Sequence, residues 1–462
     1  MVEKQVVVVA VINSIMKKIL ILTIILNTLS SFAQQNDTIV YKKRVLESTE
    51  VDFLLSYYKQ DGVHSAVSGG MGSEDLTDVA SNIVISMPLN DDDILTVDAG
   101  ISAYTSASSS NINPYDITNS NPWQASSGAS QSDALTSLVV NYSHSSDDRN
   151  FVWNGDISFS NEYDYTSIGF GGGIAKLFNN KNTELSLKAN VYLDQWRPIY
   201  PKELIDYADN NFSYNVIDVN GNATSAYNPS LFSTIDKVNR NSYSASFGFS
   251  QVATKNMQFS LFFDVIQQNG LLSTPYHRVY FADKPDYYVG QAQYISVYET
   301  TQNQGVYKLA DDIERLPDSR TKIPIGARLN YYLNERVTIR TYYRYYWDNW
   351  DITSHTASIE LPIKVSDKFT IFPMYRYYTQ QQSKYFAGFE KHLSTEEFYT
   401  SDYDLSTFNA NQYGFGINYV DIFTNFQIWK FGLKNIDFRF NHYTRNDGLD
   451  ANIASIGFKF VM

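Results

Sequence analysis

The side chains best suited to chemistry are scattered along the chain. Six histidines stand at residues 64, 144, 277, 355, 392 and 442, with no metal-ligand spacing among them. The chain has no cysteine, which excludes disulfides, thiolate catalysis, cysteine-ligated zinc, iron–sulfur clusters and a lipoprotein anchor. We find no nucleophile elbow, paired-histidine zinc helix, phosphate-binding loop or dinucleotide fingerprint. The sequence therefore predicts no enzyme, no cofactor and no bound metal.

Three local clusters have a possible ligand chemistry and a structural alternative. One acidic group surrounds a histidine and suits a divalent cation in an extracellular loop, although loop solvation also explains it: His64 with Asp61, Glu74 and Asp75. Residues 91–93 are three aspartates without the spaced oxygens and glycine of a calcium loop, which favours a turn. Gly169 and residues 171–173 follow a strand pattern without a downstream lysine, which favours a bend or a close backbone approach.

The elements that carry these residues are strands. Apolar and polar residues alternate with a period of two in six segments, at 151–160, 185–194, 243–250, 257–265, 337–345 and 413–419. No long segment has a convincing helical period. The sequence therefore predicts an all-β protein.

The connections decide between a soluble sandwich and a membrane barrel. Tight polar turns occur at 90–93, 146–150, 179–182, 254–256, 334–335 and 366–368. Between them fall longer links at 107–132, 197–240, 271–319 and 384–409. Short turns on one rim and long loops on the other are typical of outer-membrane barrels. The strand segments of ~10–14 residues are long enough to cross a bilayer when tilted.

We count about sixteen strands, an even number that places both termini on the short-turn side. They start near residues 51, 78, 94, 135, 151, 166, 184, 241, 257, 321, 336, 353, 368, 412, 436 and 452. Fourteen is the alternative, because residues 424–434 resemble neither a clean turn nor a clean strand. The prediction is a transmembrane, antiparallel, up-and-down β-barrel with short periplasmic turns and long extracellular loops.

A signal peptide precedes the barrel. Met16 and two lysines open a basic segment, residues 19–26 are apolar apart from one threonine, and Ala33 ends a small-residue cleavage pattern. We expect residues 1–15 to be an over-extended gene start and residues 16–33 to be a cleaved signal peptide. Residues 34–49 then form a periplasmic N-terminal segment, and residues 50–462 form the barrel.

The aromatic content fits a membrane barrel, with 36 tyrosines and 28 phenylalanines. Barrels carry aromatic girdles at both membrane interfaces, where amphipathic rings suit the headgroup region. An ordinary sandwich core is the alternative, but each buried tyrosine hydroxyl would need a partner. The predicted girdle residues are Tyr343, Tyr345, Trp347, Trp350, Tyr375 and Tyr377.

Charged residues on the polar strand face are predicted to line the lumen. The acidic set belongs mainly to the N-terminal half of the wall: Asp78, Asp98, Asp156, Asp194, Asp264 and Glu360. The basic set belongs to the later half: Arg328, Arg336, Arg340, Arg344, Arg376 and Arg439. Facing charges would create a transverse field that sets ion preference and favours small polar or zwitterionic solutes. Alternatively, the charges pair within the wall and stiffen the barrel.

Part of the chain resembles a known family. Residues 51–62, 64–67, 69–76, 88–90 and 104–112 are similar to the N-terminal part of an uncharacterised Bacteroidota outer-membrane family, domain of unknown function family 3570. The match is sharpest over residues 50–115. The resemblance implies an outer-membrane location but no established activity and no functional residues. Family members tend to be encoded near flavin-attachment and thioredoxin-like proteins, which points towards envelope redox work.

Two functions remain open, and an enzyme embedded in the barrel, a lipase or protease, ranks third. The first is a porin-like channel in a Gram-negative outer membrane, for passive or weakly selective diffusion of small polar solutes. The alternative is a non-conducting barrel that docks a periplasmic or surface protein, for example a redox carrier. The loops at 197–240 and 271–319 either fold inward as a constriction or stand outward as a binding surface. The expected partners are membrane lipid and the barrel-assembly machinery, and the net charge of −13 argues against nucleic acid.

Overall fold

Strands make up nearly all of the regular structure, as the alternating pattern predicts. The computed structural model describes residues 43–105, 132–298, 305–421 and 423–462. Sixteen strands, β1–β16 in chain order, form one antiparallel sheet. Their bounds are Glu50–Asp61 (β1), Leu76–Pro88 (β2), Asp93–Thr105 (β3), Ser132–Ser145 (β4), Phe151–Asn161 (β5), Tyr165–Phe178 (β6), Thr183–Trp196 (β7), Val238–Thr254 (β8), Met257–Gly270 (β9), Ser319–Tyr332 (β10), Thr338–Asp348 (β11), Thr353–Glu360 with Ile363–Lys364 (β12), Phe369–Ile371 with Met374–Gln380 (β13), Phe408–Val420 (β14), Phe431–Arg445 (β15) and Asp450–Val461 (β16).

The sheet closes because its first strand pairs with its last. Tyr57 of β1 faces Val79 of β2 on one side and Ala454 of β16 on the other. All other strands pair with their chain neighbours, so the fold is a closed up-and-down barrel. The predicted fold is confirmed, and the alternative count of fourteen strands is wrong. The doubtful segment is a hairpin in which Gln427–Ile428 pairs back onto the start of β15.

The two rims of the barrel differ in their connections. The short-turn rim joins β2 to β3 and each later even-numbered strand to the next, and both ends of the barrel meet there through the Met462 N–H and the Thr49 carbonyl, 3.0 Å apart. On the opposite loop rim, long loops follow β1, β7, β9 and β13. Tight connections at 162–164, 349–352 and 446–449 separate them. Residues 1–42, with the predicted signal peptide, and residues 106–131 lie outside the described residues.

One ion pair identifies the inner face of the wall. Glu360 of β12 accepts a hydrogen bond of 2.8 Å from Arg439 of β15, although β13 and β14 lie between these strands. Such a contact crosses the interior of a closed barrel, so the polar face that carries both residues faces the lumen. The other face carries the exposed large apolar side chains, among them Trp153, Ile157, Ile174, Leu187, Phe247, Leu261 and Phe415. Within the described residues, no helix is long and apolar enough to span a membrane.

The described long loops pack against one another on the loop rim. We call residues 62–75, 197–237, 271–298, 305–318 and 381–407 the loop cap. It contains one α-helix, α1 (Lys202–Ala208), three short 3₁₀ helices (Ala66–Ser68, Ala292–Val297 and Tyr403–Leu405) and two small sheets built from two- and three-residue strands. Most of the buried apolar side chains of the described residues lie in this cap. One of its clusters packs Leu204 of α1 against Tyr280 and Ile313.

The loop cap reaches across the barrel mouth. The loop after β1 and the loop after β9 begin on strands that lie eight positions apart in a ring of sixteen, which is opposite sides of the wall. These loops nevertheless touch, because Arg278 donates from Nη1 to the carbonyl of Val67 at 3.1 Å. The part of this loop around Arg278 therefore lies across the lumen mouth and does not stand away from the barrel.

Candidate functional site

The strand register shows where the predicted lumen residues lie. All six acidic residues share the inner face: Asp78 (β2), Asp98 (β3), Asp156 (β5), Asp194 (β7), Asp264 (β9) and Glu360 (β12). Five of the basic residues share it as well: Arg328 (β10), Arg340 and Arg344 (β11), Arg376 (β13) and Arg439 (β15). The acidic strands and the basic strands form largely separate arcs of the wall.

Two predicted site residues lie elsewhere. Arg336 lies in the turn between β10 and β11, where Asn334 caps the Arg336 N–H, and β11 begins only at Thr338. Trp350 is not on the outer face: it is 2 % exposed and packs against Leu272 and Leu316 in the 349–352 connection. The expectation failed because Trp350 follows the strand end, where the period of two no longer applies. The remaining girdle residues lie on the outer face: Tyr343, Tyr345, Trp347, Tyr375 and Tyr377.

Local hydrogen bonds hold the acidic arc. Asp98 accepts from the amide of Asn82 at 2.6 Å, and Asp78 accepts from the hydroxyl of Ser102 at 2.7 Å. Asp156 lies 3.8 Å from the ammonium of Lys188. A Cβ at Gly171 would lie 2.4 Å from the Asp156 carboxylate, so this glycine leaves room for the Asp156 side chain on the inner face. The contact is with a side chain, so the predicted bend or close backbone approach in β6 stays a prediction.

The basic arc is less fully paired. Arg340 and Arg439 both bind Glu360, at 2.9 and 2.8 Å. Arg328 lies over the rings of Phe262 and Tyr342, 5.7 and 5.6 Å from their centroids. Within the described part of the chain, Arg328, Arg344 and Arg376 have no carboxylate within 4.0 Å. Some of the lumen charges therefore pair within the wall, whereas these three arginines do not.

Exposure of the inner face falls towards the loop rim. The side chains of Lys188 on β7 and Arg340 on β11, nearer the short-turn rim, are 49 % and 50 % exposed. Asp348, at the loop end of β11, is fully buried, and Ser354 and Gln380 of the next two strands are buried with it. Gln380 donates to the carbonyls of Asp404 and Ser406 in the cap. The cap therefore packs against the inner wall at the loop rim, whereas the inner wall near the short-turn rim stays accessible to solvent.

A cavity remains at one side of the mouth. It has a volume of about 650 Å³ and lies at the loop ends of β6–β9. Nine residues line it: Glu162, Asp164, Tyr165, Tyr192, Asp194, Trp196, Arg240, Ser242 and Gln268. Burial, and then the neighbouring charge of Asp164, raise the pKa of the Glu162 carboxyl. We call this the wall cavity.

A buried ion pair ties the cap together. Arg278 donates from Nε and Nη2 to the two carboxylate oxygens of Glu203, at 2.7 and 3.1 Å, and both side chains are essentially unexposed. The guanidinium also lies over the ring of Tyr307. Burial alone would lower the pKa of Arg278, but the charge of Glu203 outweighs it and raises that pKa well above its usual value. Since the Val67 carbonyl accepts the third hydrogen bond, this pair joins three loops.

A second cap cluster offers the donor atoms of a metal site. His277, Glu314 and Asp402 each place one ligand atom within 4.8 Å of the others. One imidazole nitrogen and two carboxylate oxygens would suit a transition metal such as zinc better than calcium. Glu314, however, already accepts hydrogen bonds from the Thr274 N–H and the Thr400 hydroxyl. The cluster is therefore explained as a hydrogen-bonded link between two loops.

The pKa values of two groups in this cluster, Asp402 and His277, are raised by the balance of burial and neighbouring charges. Burial raises the pKa of Asp402, and repulsion from Asp404 and Glu314 adds to this, bringing it to about 7. Burial would lower the pKa of His277, but attraction to Glu314 outweighs it and raises that pKa. Both groups therefore favour their protonated forms in the folded cap.

The predicted His64 cluster is used for packing. The His64 ring stacks on Tyr403 with centroids 3.7 Å apart, and its Nδ1 lies 3.0 Å from the carbonyl of Gly70. Its backbone N–H donates to Glu74 at 3.0 Å. The histidine therefore joins the first loop to the last long loop, and neither a solvated loop nor a cation explains it.

Sequence reasoning missed the wall cavity and the Arg278–Glu203 pair. Their members come from different loops, and Arg278 and Glu203 are 75 residues apart. The clearest signal was the tyrosine content of the loop at 271–319, because a solvated loop does not need so many rings. Seven tyrosines stand there, at 276, 280, 287, 288, 294, 298 and 307.

Several solved membrane proteins are similar in outline. A bacterial polysaccharide outer membrane secretin is 9 % identical with a TM-score of 0.41, over 90 % of this chain and 99 % of that one. A deltaS2 mutant of the TodX monoaromatic hydrocarbon channel is 8 % identical with a TM-score of 0.38, over 90 % of both chains. The outer membrane protein opdK from Pseudomonas aeruginosa is 7 % identical with a TM-score of 0.36, over 90 % and 100 %. Because these TM-scores are low, the fold is assigned from the strand pairing and not from these similarities.

Sequence comparison gives a family without an activity. No curated protein sequence matches the chain. The model of a family described as a protein of unknown function, DUF3570, matches residues 23–455 of the 462 residues. Because this match covers nearly the whole chain, the protein belongs to the DUF3570 family.

Proposed function

We propose that the protein is exported by its signal peptide, inserts into the outer membrane of a Gram-negative cell, and forms a channel for small polar solutes that the loop cap narrows. The apolar outer face supports the membrane location. Side chains such as Ile157, 58 % exposed, would be costly to leave in water around a whole barrel, and lipid removes that cost. The barrel-assembly machinery and membrane lipid are then its necessary partners.

The exposure gradient of the inner face carries the channel proposal. A barrel of sixteen strands encloses more space than its own side chains fill. Half-exposed Lys188 and Arg340 indicate that water reaches the lumen from the short-turn rim. At the other end the cap covers most of the wall and leaves the wall cavity beside β6–β9. A narrowed mouth of this kind favours selective passage over general diffusion.

The first test is ion selectivity in a planar bilayer. We would refold the chain without residues 1–33 and measure the reversal potential under a salt gradient. Replacing Arg340, Arg344 and Arg376 together by glutamine should shift selectivity towards cations, because lumen charges set ion preference. Lys391→Gln, an exposed lysine of the cap, is the control and should change nothing. An unchanged reversal potential in the folded triple variant would contradict a conducting lumen lined by these arginines.

A non-conducting barrel is the second candidate function. In this case the cap is a plug and the barrel docks a periplasmic or surface protein, for example a redox carrier. The favouring observation is that Arg278, Glu203 and Val67 tie together loops from opposite sides of the mouth. A folded wild-type barrel that stays silent in the bilayer, and conducts only when Arg278 is replaced, would favour this candidate over the channel.

A further inference from the structure

We propose that the wall cavity binds a small zwitterion, an amino-acid-like solute that carries one ammonium and one carboxylate group. The proposal deepens the channel function by naming a solute class. Binding itself rests only on the cavity, whereas passage of the solute rests on the proposed function. The cavity volume of about 650 Å³ is within the range of small-molecule sites.

The acidic end of the cavity has an unused acceptor. Asp194 is 8 % exposed, and its Oδ1 has no hydrogen-bond partner among the described residues. A buried carboxylate oxygen without a donor is costly, since the group has lost water without gaining a replacement. Asp194 lines the cavity. A donor group of a bound solute would therefore satisfy it.

A cation stands across from this carboxylate. Tyr192 of β7 pairs with Ser242 of β8, and Gln195 pairs with Asn239, so the register places Asp194 opposite Arg240. Both line the cavity. Yet the two do not form an ion pair within 4.0 Å, and in the described part of the chain no other carboxylate lies that close to the Arg240 guanidinium. Asp194 and Arg240 therefore both line the cavity without pairing with each other.

The remaining walls fit a short organic body between these charges. Glu162 and Asp164, in the turn between β5 and β6, add negative potential on the side of Asp194. The indole of Trp196 donates from Nε1 to Asp164 at 3.1 Å, which fixes both side chains. Aromatic faces attract ammonium groups and also pack against methylene groups. An anion alone would meet three carboxylates, and a cation alone would meet Arg240, so a solute carrying both charges fits best.

The chemistry of recognition follows from these positions. The ammonium of the solute donates to the Asp194 carboxylate, whose buried Oδ1 has to turn towards the cavity to accept. The carboxylate of the solute accepts two hydrogen bonds from the planar guanidinium of Arg240. Each is a charge-assisted hydrogen bond in a partly dry site, so loss of either charge should weaken binding about tenfold or more. The cavity therefore recognises the ammonium group and the carboxylate group of the solute at the same time.

The test is binding of L-alanine to the refolded chain in detergent, where no ion flow is needed. Equilibrium dialysis of labelled L-alanine should show saturable binding, with propionate and ethylamine, which lack one charge each, about tenfold weaker or worse as competitors. Asp194→Asn and Arg240→Gln should each weaken L-alanine by a similar factor. Glu184→Gln, on the same strand and face but outside the cavity, should bind like wild type. A quench of tryptophan fluorescence that disappears in Trp196→Phe would place the ligand in the cavity.

The outcomes separate the site from the channel. Saturable binding in a barrel that stays silent in the bilayer would keep the site and overturn the channel. Conduction without saturable L-alanine binding would overturn the site and keep the channel. Equal competition by all three compounds, or unchanged binding in folded Asp194→Asn and Arg240→Gln, would also overturn the zwitterion proposal.

Discussion

The barrel wall and the loop cap use their apolar side chains in opposite ways. The wall turns Leu187 and Ile157 outward, where they stay exposed on the protein surface, and keeps polar side chains inside. The cap turns Leu204 and Tyr280 into closed clusters, as a water-soluble domain does. In the proposed membrane location, lipid stabilises the apolar outer face of the wall, whereas burial from water stabilises the cap.

This contrast gives the two regions different weak points. Backbone pairing around a closed ring holds the wall, and a single side chain contributes little to it. The cap has short strands and depends on packing and on a few buried charges, such as Glu203 with Arg278. Changes in the cap should loosen the cap alone, and changes on the outer face should affect insertion of the wall.

The largest effect is expected at the buried ion pair. Arg278→Met leaves the Glu203 carboxylate buried without a cation, which typically costs about 3–5 kcal/mol. Amide hydrogen exchange should accelerate in the cap and not in the strands. Lys384→Gln, which breaks the exposed pair between the cap and Asp351, is the control and should have a much smaller effect. Equal acceleration in cap and wall would show that the two regions form one cooperative unit.

The next effect is expected in the cap core. Leu204 is 1 % exposed, so Leu204→Ala should cost about 2–5 kcal/mol through lost burial and a cavity. Limited proteolysis of the cap loops should become faster while the strand content in circular dichroism stays the same. Leu231→Ala, at a residue 70 % exposed in the same cap, should be nearly neutral. Similar proteolysis of the two variants would contradict a cap held by its own core.

The outer face of the wall provides the converse test. Leu187→Arg places a charge on the face we assign to lipid, which should cost about 2–4 kcal/mol in a bilayer. Folding yield into lipid vesicles should fall, with no change in the cap. Ser186→Arg, one residue away on the inner face, should insert normally. If the inner-face variant inserted no better than Leu187→Arg, the assignment of the two faces would be wrong.

A smaller effect is expected from pH, and only in the cap. Burial raises the pKa of Asp311 to about 6, above its value in an unfolded chain, so ionisation of Asp311 opposes folding of the cap. The cap should become more stable as pH falls from about 7 towards 4, by at most about 3 kcal/mol. The raised pKa values of Asp402 and His277 act in the same direction.

The variant Asp311→Asn tests the contribution of Asp311 to this pH dependence separately from those of Asp402 and His277. Asparagine keeps an acceptor for the Phe281 N–H, which Asp311 binds at 2.8 Å. Hydrogen exchange of the cap at pH 7.5 should therefore slow in the variant, and its pH dependence should become weaker. Faster exchange at neutral pH would mean that the charged form of Asp311 stabilises the cap.

The wall could be predicted from the sequence because its signal is local. A period of two in segments such as residues 185–194 sets which residues face outward, and turns such as 179–182 set the strand ends. The strand starts differ from the predicted ones by a few residues, as at Arg336. The same residue types occur at the end of a turn and at the start of a strand, so residue type alone does not mark the boundary. The match of sixteen strands follows from that local regularity.

The cap and the wall cavity could not be predicted in this way. Arg278 finds Glu203 and Val67 through contacts between separate loops, and no short-range pattern marks such partners. Trp350 shows the same limit, since its neighbours Leu272 and Leu316 come from another loop. Arg240 and Asp194 were visible as charged strand residues, but their failure to pair depends on three-dimensional geometry.

The most direct test of the narrowed channel is single-channel conductance of the refolded chain compared with Arg278→Met. If the cap narrows an otherwise open lumen, the wild type should show small discrete openings, and the variant, with its loops released, should show a larger conductance. Equal conductance in both folded proteins, or silence in both, would contradict a lumen narrowed by the cap.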